Sequence, residues 1–293
     1  MYKNVMFALT LALLCMGALP ASAAEEVPGK KGILLVAFGT SMPEATGAIE
    51  SLTNATKAAF PDVEVRVAYT SNIIRRKLKR EQGVEIPTPP EALAAMNDDG
   101  FTDVSVQPMH IIPGEEYDDL KGVVDAFASL RGKYGFRRLV IGRPLLSNVE
   151  DCAIMAGILT RRFGDRLAPG KAVVLMGHGT PHMANAMYSE MQAAITRASD
   201  RIFLGTVEST PTFDDVQAAL KKARAKTLIL APFMIVAGDH ANNDLAGADD
   251  PESWLSQFKK AGYGIETDLV GLGQYPEIAK LFVGRVAELL KQE

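Results

Sequence analysis

The chain of 293 residues has only two cysteines, and one of them, Cys15, lies in an apolar N-terminal stretch. No CxxC pair exists, so structural zinc and thiol–disulfide exchange lack their usual ligands. Cys152, in the helical pattern Val149–Met155, reads as a small buried hydrophobe. Positive charge is not in excess either. Lys and Arg number 31 against 35 Asp and Glu, a formal charge of −4, which disfavours nucleic acid as a partner. After the N-terminus no run approaches the roughly 18–20 apolar residues of a membrane span, so no membrane anchor is expected. There is no GxxxxGK[ST] loop, HExxH or GxSxG. Gly271-Leu272-Gly273 lacks the third glycine of a dinucleotide fingerprint and follows the last predicted strand rather than the first.

What is present starts with a leader. Lys3 gives a positive start, Val5–Leu19 is almost wholly apolar, and Ala21-Ser22-Ala23 supplies the small residues that a signal peptidase reads. Residues 1–24 are therefore expected to be a cleaved signal peptide. Leu14 before Cys15 argues against a lipoprotein anchor. The mature protein is expected in the periplasm. Hydrophobic residues make up 47% of the chain, enough for a large buried core.

Apolar runs of strand length alternate with helical patterns. Ile33–Phe38, Val63–Tyr69, Val104–Pro108 and Leu139–Gly142 read as strands, followed by Ala172–Met176, Ile202–Val207, Thr227–Ala231 and Ile265–Val270. The intervening stretches repeat apolar residues every three or four positions, as in Ile278, Leu281, Phe282, Val286 and Leu289. This alternation predicts an α/β fold with parallel sheets. Two segments also repeat in order. LLVAFGT at Leu34–Thr40 parallels VLMGHGT at Val174–Thr180, and PMHIIPGEE at Pro108–Glu116 parallels PFMIVAGDH at Pro232–His240. A duplicated unit is the reading: two similar lobes, each a four-stranded parallel sheet flanked by helices. They would span residues 25–148 and 149–293, the second including a linking helix.

The repeat aligns Phe38 with His178, and Glu116 with His240. All four positions fall at the carboxyl ends of strands, where ligands bind in parallel α/β sheets. The mature chain has four histidines: His110, His178, His182 and His240. His178 lies between Gly177 and Gly179, and His240 follows Ala237-Gly238-Asp239. Two imidazoles plus a carboxylate, Glu116 or Glu208, make a site for a divalent transition metal with open coordination positions. His110 beside Met109 suggests axial ligation of a haem as an alternative use. The basic run Arg75–Arg80 follows the second strand, and Arg75 and Arg76 suit a carboxylate-rich ligand.

Taken together, these segments resemble the anaerobic sirohydrochlorin cobaltochelatases, relatives of the class II ferrochelatases. The matching stretches are Leu34–Ser41, Tyr69–Leu78 (YTSNIIRRKL), Val106–Tyr117 (VQPMHIIPGEEY), Met176–His182 (MGHGTPH), Pro232–Leu245 and Gly271–Glu277. The resemblance implies two lobes with a tetrapyrrole cleft between them and insertion of Co2+, with Fe2+ as a second metal, into sirohydrochlorin without nucleotide. It places the family's histidine pair on His178 and His240, with an acidic partner at Glu116 or Glu208. Phe38 and Met109 would line the ring faces, and Arg75 and Arg76 would meet the substrate's carboxylates. Export departs from the family pattern, because cobalamin assembly is ordinarily cytoplasmic. It motivates a second reading, a periplasmic haem or tetrapyrrole carrier on a chelatase scaffold. A two-lobed metal-binding protein of transport systems is a third, which explains the arginine-rich run less well. The exposed faces of two such lobes are expected to support a homo-oligomer.

Overall fold

The computed structural model describes residues 29–292; the signal peptide expected over residues 1–24 lies outside them. The first lobe runs β1 (Lys30–Ala37), α1 (Gly47–Ala59), β2 (Glu64–Tyr69), α2 (Asn72–Gln82), α3 (Pro89–Asp98), β3 (Phe101–Pro108), α4 (Glu115–Ser129) and β4 (Arg138–Ile141). After α5 (Val149–Gly164), the second lobe runs β5 (Lys171–Gly177), α6 (Ala186–Ala198), β6 (Ile202–Thr206), α7 (Phe213–Lys222), β7 (Thr227–Pro232), α8 (Trp254–Lys260) and β8 (Gly264–Thr267). Helix α9 (Pro276–Lys291) closes the chain. The sheets have the same order, β2-β1-β3-β4 and β6-β5-β7-β8, with every pairing parallel.

The central strands are apolar because both of their faces are covered. In β1, Ile33, Leu35 and Ala37 enter one core cluster while Leu34 and Val36 enter another under α3 and α4. In β5, Val173 and Leu175 share the first cluster, and Ala172, Val174 and Met176 pack beneath α7 and α8. That first cluster is continuous across both lobes through Met155 and Leu159 of α5 and Ile278, Phe282 and Val286 of α9. Cys152 is fully buried in it, and burial pushes its thiol up to about 12, which makes it unreactive.

Local sequence fixes the helix starts. Ser71, Thr88, Asn148 and Thr212 each accept a backbone N–H three residues on, and Thr88–Glu91 and Thr212–Asp215 form reciprocal caps. The expected strand Ile265–Val270 ends earlier, at Thr267. Asp268 still donates its N–H to Leu230 O, but its carboxylate turns to Arg162 and Arg166 and the chain leaves the sheet edge.

A division at residue 149 does not hold for the chain's end. Helix α9 packs on α1 and β3 of the first lobe. Arg285, only 6% exposed, donates from α9 to the carbonyl oxygens of Arg143, Pro144 and Leu145 in the crossing between lobes, and to Asp151 of α5. The Gly271-Leu272-Gly273 segment serves the same packing. A side chain at 273 would lie 2.8 Å from the Ala48 carbonyl oxygen, so these glycines allow close approach rather than phosphate binding. Among the described residues, no helix is long and apolar enough to cross a membrane.

Candidate active site

The loops leaving the carboxyl ends of β1, β2, β3, β5, β6 and β7 converge on one cavity of about 590 Å³ between the lobes. His178 follows β5 directly. Its neighbour Gly179 has φ +83, a left-handed turn in which any side chain would strike Thr206 and the backbone of Ser209. In the first lobe Gly39 repeats this turn after Phe38, at φ +104 against Tyr69. Gly177 leaves room for the buried Tyr188 ring, 2.6 Å from where a Cβ would be. The Tyr188 hydroxyl is buried beside the backbone of His178 and Gly179. Burial pushes that hydroxyl up to about 12, so it stays protonated and braces the turn.

His240 caps a short π-helical turn, Ala241–Leu245, after β7. The two loops bring the His178 and His240 rings to a centroid distance of 4.5 Å, nearly perpendicular at 88°. Each Nδ1 is engaged: that of His178 lies 2.8 Å from Gly179 O, and that of His240 lies 2.7 Å from Asp244 Oδ2. A carbonyl and a carboxylate can only accept, so in its neutral form each ring carries its proton on Nδ1 and leaves Nε2 bare. Both are partly exposed in the open cavity.

Glu208 is tied to His178 by its backbone N–H donating to His178 O at 2.9 Å, and its carboxylate stands 3.5 Å from Nδ1. It thus lies beside the protonated edge of the ring, not beside Nε2. Glu116 lines the cavity from the first turn of α4, together with Glu115. Among the described residues no three His, Cys, Asp or Glu side chains gather tightly enough to hold a metal ion. The expected set of two histidines and a carboxylate is therefore open: the imidazoles meet and the carboxylates flank them.

Phe38, 48% exposed, and the buried Met109 line the cavity as expected. Ile73, 79% exposed on α2, joins them and was not anticipated. Arg75 and Arg76 are a correction, since neither lines the cavity. Arg75 bonds Glu91 at 2.7 Å, Ile86 O at 2.6 Å and Asn72 at 3.1 Å, on the side of α2 away from Ile73, and Arg76 is exposed to solvent. Among the described residues the cavity lining has no Lys or Arg, while Glu115, Glu116, Glu208 and Asp239 contribute to it. Such a lining favours cations.

His110 is corrected as a haem ligand. Its residue reaches the cavity wall, but both ring nitrogens are buried without a partner, so neither is offered to an iron. Burial also pushes its pKa down to about 4. His182 caps the start of a helix through Nδ1, which accepts from Ala184 N, and its Nε2 lies 3.3 Å from Asp118 of the opposite lobe. Sequence reading missed Asp118 and Asp244. The spacing of four residues from His240 to Asp244 was a usable signal for the second; nothing local marked the first.

The family model for "Cobalt chelatase (CbiK)" matches residues 31–291. The chain belongs to the CbiK cobalt chelatase family. A sirohydrochlorin cobaltochelatase of Salmonella typhimurium is 36% identical over 262 residues, 89% of this chain and 97% of that one. The sirohydrochlorin cobaltochelatase CbiKC of Nitratidesulfovibrio vulgaris is 36% identical over 246 residues, 84% and 86% of the two chains. Among solved structures, SirB from Bacillus subtilis with Fe3+ superposes with a TM-score of 0.59 at 16% identity, covering 89% of this chain and 96% of that one. CbiX, described as the terminal enzyme of sirohaem biosynthesis in denitrifying bacteria, gives 0.54 at 17% identity, covering 88% and 98%. These structural likenesses bear on the fold: this chelatase shares the two-lobed α/β architecture with them.

Proposed function

We propose that the protein is a sirohydrochlorin cobaltochelatase that inserts Co2+ into the macrocycle without nucleotide, releasing two protons per metal. Fe2+ is a second metal in this reading, since both ions suit nitrogen and oxygen donors. The observation that carries the reading is the perpendicular His178–His240 pair, 4.5 Å apart with both Nε2 atoms bare. A neutral imidazole both ligates a divalent ion and accepts a proton near neutral pH, its ordinary pKa being about 6.5. One pair of rings can thus hand over the metal and receive a pyrrole proton in exchange. Loose coordination is a requirement here, because a closed four-ligand cage would not release the ion.

The flanking groups have complementary work. Glu208, beside the Nδ1 edge of His178, carries protons outward, and Glu116, which lines the cavity from α4, completes coordination or does the same. The apolar faces of Phe38, Met109 and Ile73 receive the flat ring. With no Lys or Arg in the lining among the described residues, the substrate's carboxylates are directed toward the rim and solvent, and the acidic wall concentrates the cation. We take the protein to be exported by its leader and to act in the periplasm. The haem-carrier reading has lost its axial ligand, since both His110 nitrogens are buried.

The test is absorbance of sirohydrochlorin mixed with purified protein and Co2+ or Fe2+, without ATP. The spectrum of the metallated macrocycle should appear with wild-type protein and fail to appear with His178→Ala or His240→Ala. Wild-type rates in both variants would overturn the mechanism.

A further inference from the structure

The two metal-facing imidazoles are held differently, and the difference names a residue. His178 leans on a peptide carbonyl, fixed by the Gly179 turn. His240 leans on a side chain: Asp244 sits four residues on, its Oδ2 2.7 Å from Nδ1, inside the π-helical turn Ala241–Leu245. A π turn is rare and tends to occur where a local side-chain placement is needed. Asn242 pins this turn from within, donating to Gly238 O at 3.0 Å, and approaches Met42 of the first lobe at 3.8 Å from its sulfur.

We propose that Asp244 is the positioning residue of the site, fixing His240 in the Nδ1–H tautomer and aiming its bare Nε2 at the incoming metal. Without it, the ring is free to rotate and to carry its proton on Nε2. In that tautomer the imidazole neither ligates a metal nor accepts a pyrrole proton at that atom. His178 depends less on a side chain: its Nδ1 bonds a backbone oxygen at 2.8 Å, which cannot be substituted away, and the Glu208 carboxylate stands farther off at 3.5 Å. The two histidines therefore differ in how they are lost: His178 through its backbone turn, His240 through one carboxylate. This inference rests on the chelatase reading for what the bare nitrogens are used for, but not for the tautomer itself.

Asp244→Ala, Asp244→Asn and the pair His240→Ala with Asp244→Ala test it. Removing an outer hydrogen-bond partner of a ligating histidine costs about 10–100-fold in metal affinity or activity, so Asp244→Ala should lower kcat/KM for Co2+ by about that factor. The KM for sirohydrochlorin should stay within about twofold, because Asp244 acts through the metal ligand and not on the ring. Asp244→Asn keeps an oxygen that accepts from Nδ1–H and should recover most of the loss. In the His240→Ala background Asp244→Ala should add nothing. Independently of activity, 15N imidazole spectra of the metal-free protein, with His240 assigned by His240→Gln, should show protonated Nδ1 and bare Nε2 in the wild type. Asp244→Ala should shift that population toward Nε2–H.

A wild-type spectrum with Nε2 protonated, additive losses in the double variant, or wild-type kinetics for Asp244→Ala would overturn the proposal. A wild-type protein that metallates nothing would sink the chelatase reading while the spectra still decide the role of Asp244.

Discussion

The two lobes are built on one plan, and their loops differ in what they present at matching positions, since both imidazoles of the pair come from one copy. Met109 N donates to Val36 O at 2.7 Å in the first lobe, and Phe233 N donates to Met176 O at 2.7 Å in the second. Ser71 N donates to Phe38 O at 3.2 Å, and Glu208 N donates to His178 O at 2.9 Å. These matching bonds align Phe38 with His178 and Ser71 with Glu208. The first lobe therefore keeps the left-handed glycine turn but presents an apolar ring and a helix-capping hydroxyl. The second presents an imidazole and a carboxylate in the same places. The frame is duplicated, whereas both imidazoles of the pair come from one copy, and in the mechanism we propose the other supplies surface for the macrocycle.

The sharpest way to break that comparison is to delete equivalent side chains. His178→Ala and His240→Ala should each reduce insertion by about 100-fold or more, in line with loss of a group that acts on the reacting atoms. Phe38→Ala should raise the KM for sirohydrochlorin a few-fold and leave the KM for Co2+ unchanged. Steady-state rates with each substrate varied would check this. A loss in Phe38→Ala as large as in His178→Ala would mean the lobes share the chemistry.

Much of this plan was legible because the signals were local or repeated. Each of the eight strands appears within a few residues of its expected range, most sharply the central ones, since a parallel strand covered on both faces must be a short apolar run. His178 and His240 stood out because the repeat put two scarce imidazoles at strand ends. What escaped was decided by direction. Arg75 sits one helical step from Ile74, which lines the cavity, yet its guanidinium turns to Glu91 and the Ile86 carbonyl. A basic run gives charge but not the side of the helix on which each charge emerges. The return of α9 to the first lobe was hidden for a related reason: the partners of Arg285 lie more than a hundred positions away.

Arg285 supplies the next test, whether the lobes are one cooperative unit. Its buried guanidinium bonds Asp151 and three carbonyl oxygens, so Arg285→Met takes the side-chain donor from Leu145 O and leaves Asp151 with Arg143 and the Ser147 N–H. Removing one partner of a buried ion pair costs about 3–5 kcal/mol. Urea unfolding should show the midpoint falling as a single transition. Two resolved transitions in the wild type would mean that the lobes unfold separately.

The glycine turns compare the lobes at identical positions. Gly39→Ala and Gly179→Ala both force an L side chain into left-handed backbone, which costs about 1–3 kcal/mol. The nearest obstruction differs: at 39 it is the Tyr69 ring, 2.4 Å away, and at 179 it is the backbone nitrogen of Ser209, 2.9 Å away. Both variants should lose about 2 kcal/mol of stability by this estimate. Only Gly179→Ala should also lose kcat, because the turn carries His178. Equal losses of kcat would erase the asymmetry between the lobes.

The smallest expected effect isolates a group with no counterpart. His110 aligns with Met234 in the second lobe, yet both its ring nitrogens are buried without partners. Its pKa is pushed down to about 4 by desolvation alone, with no neighbouring charge contributing. Below about pH 6.5 the unfolded chain takes up a proton at this position that the folded protein refuses. The folded state therefore has this contribution in full above pH 6.5 and loses it as pH falls toward 4. Between pH 7 and pH 5 the loss amounts to about 2 kcal/mol. His110→Met installs the residue that the second lobe already uses, and also removes two unsatisfied buried nitrogens, each of which costs about 1–3 kcal/mol where it stays unpaired. The variant should be at least as stable as wild type at pH 7 and should lose about 2 kcal/mol less between pH 7 and pH 5. Denaturant midpoints at the two pH values measure this directly. An acid limb just as steep in His110→Met would assign the loss to other groups and leave His110 no different in this respect from its apolar counterpart.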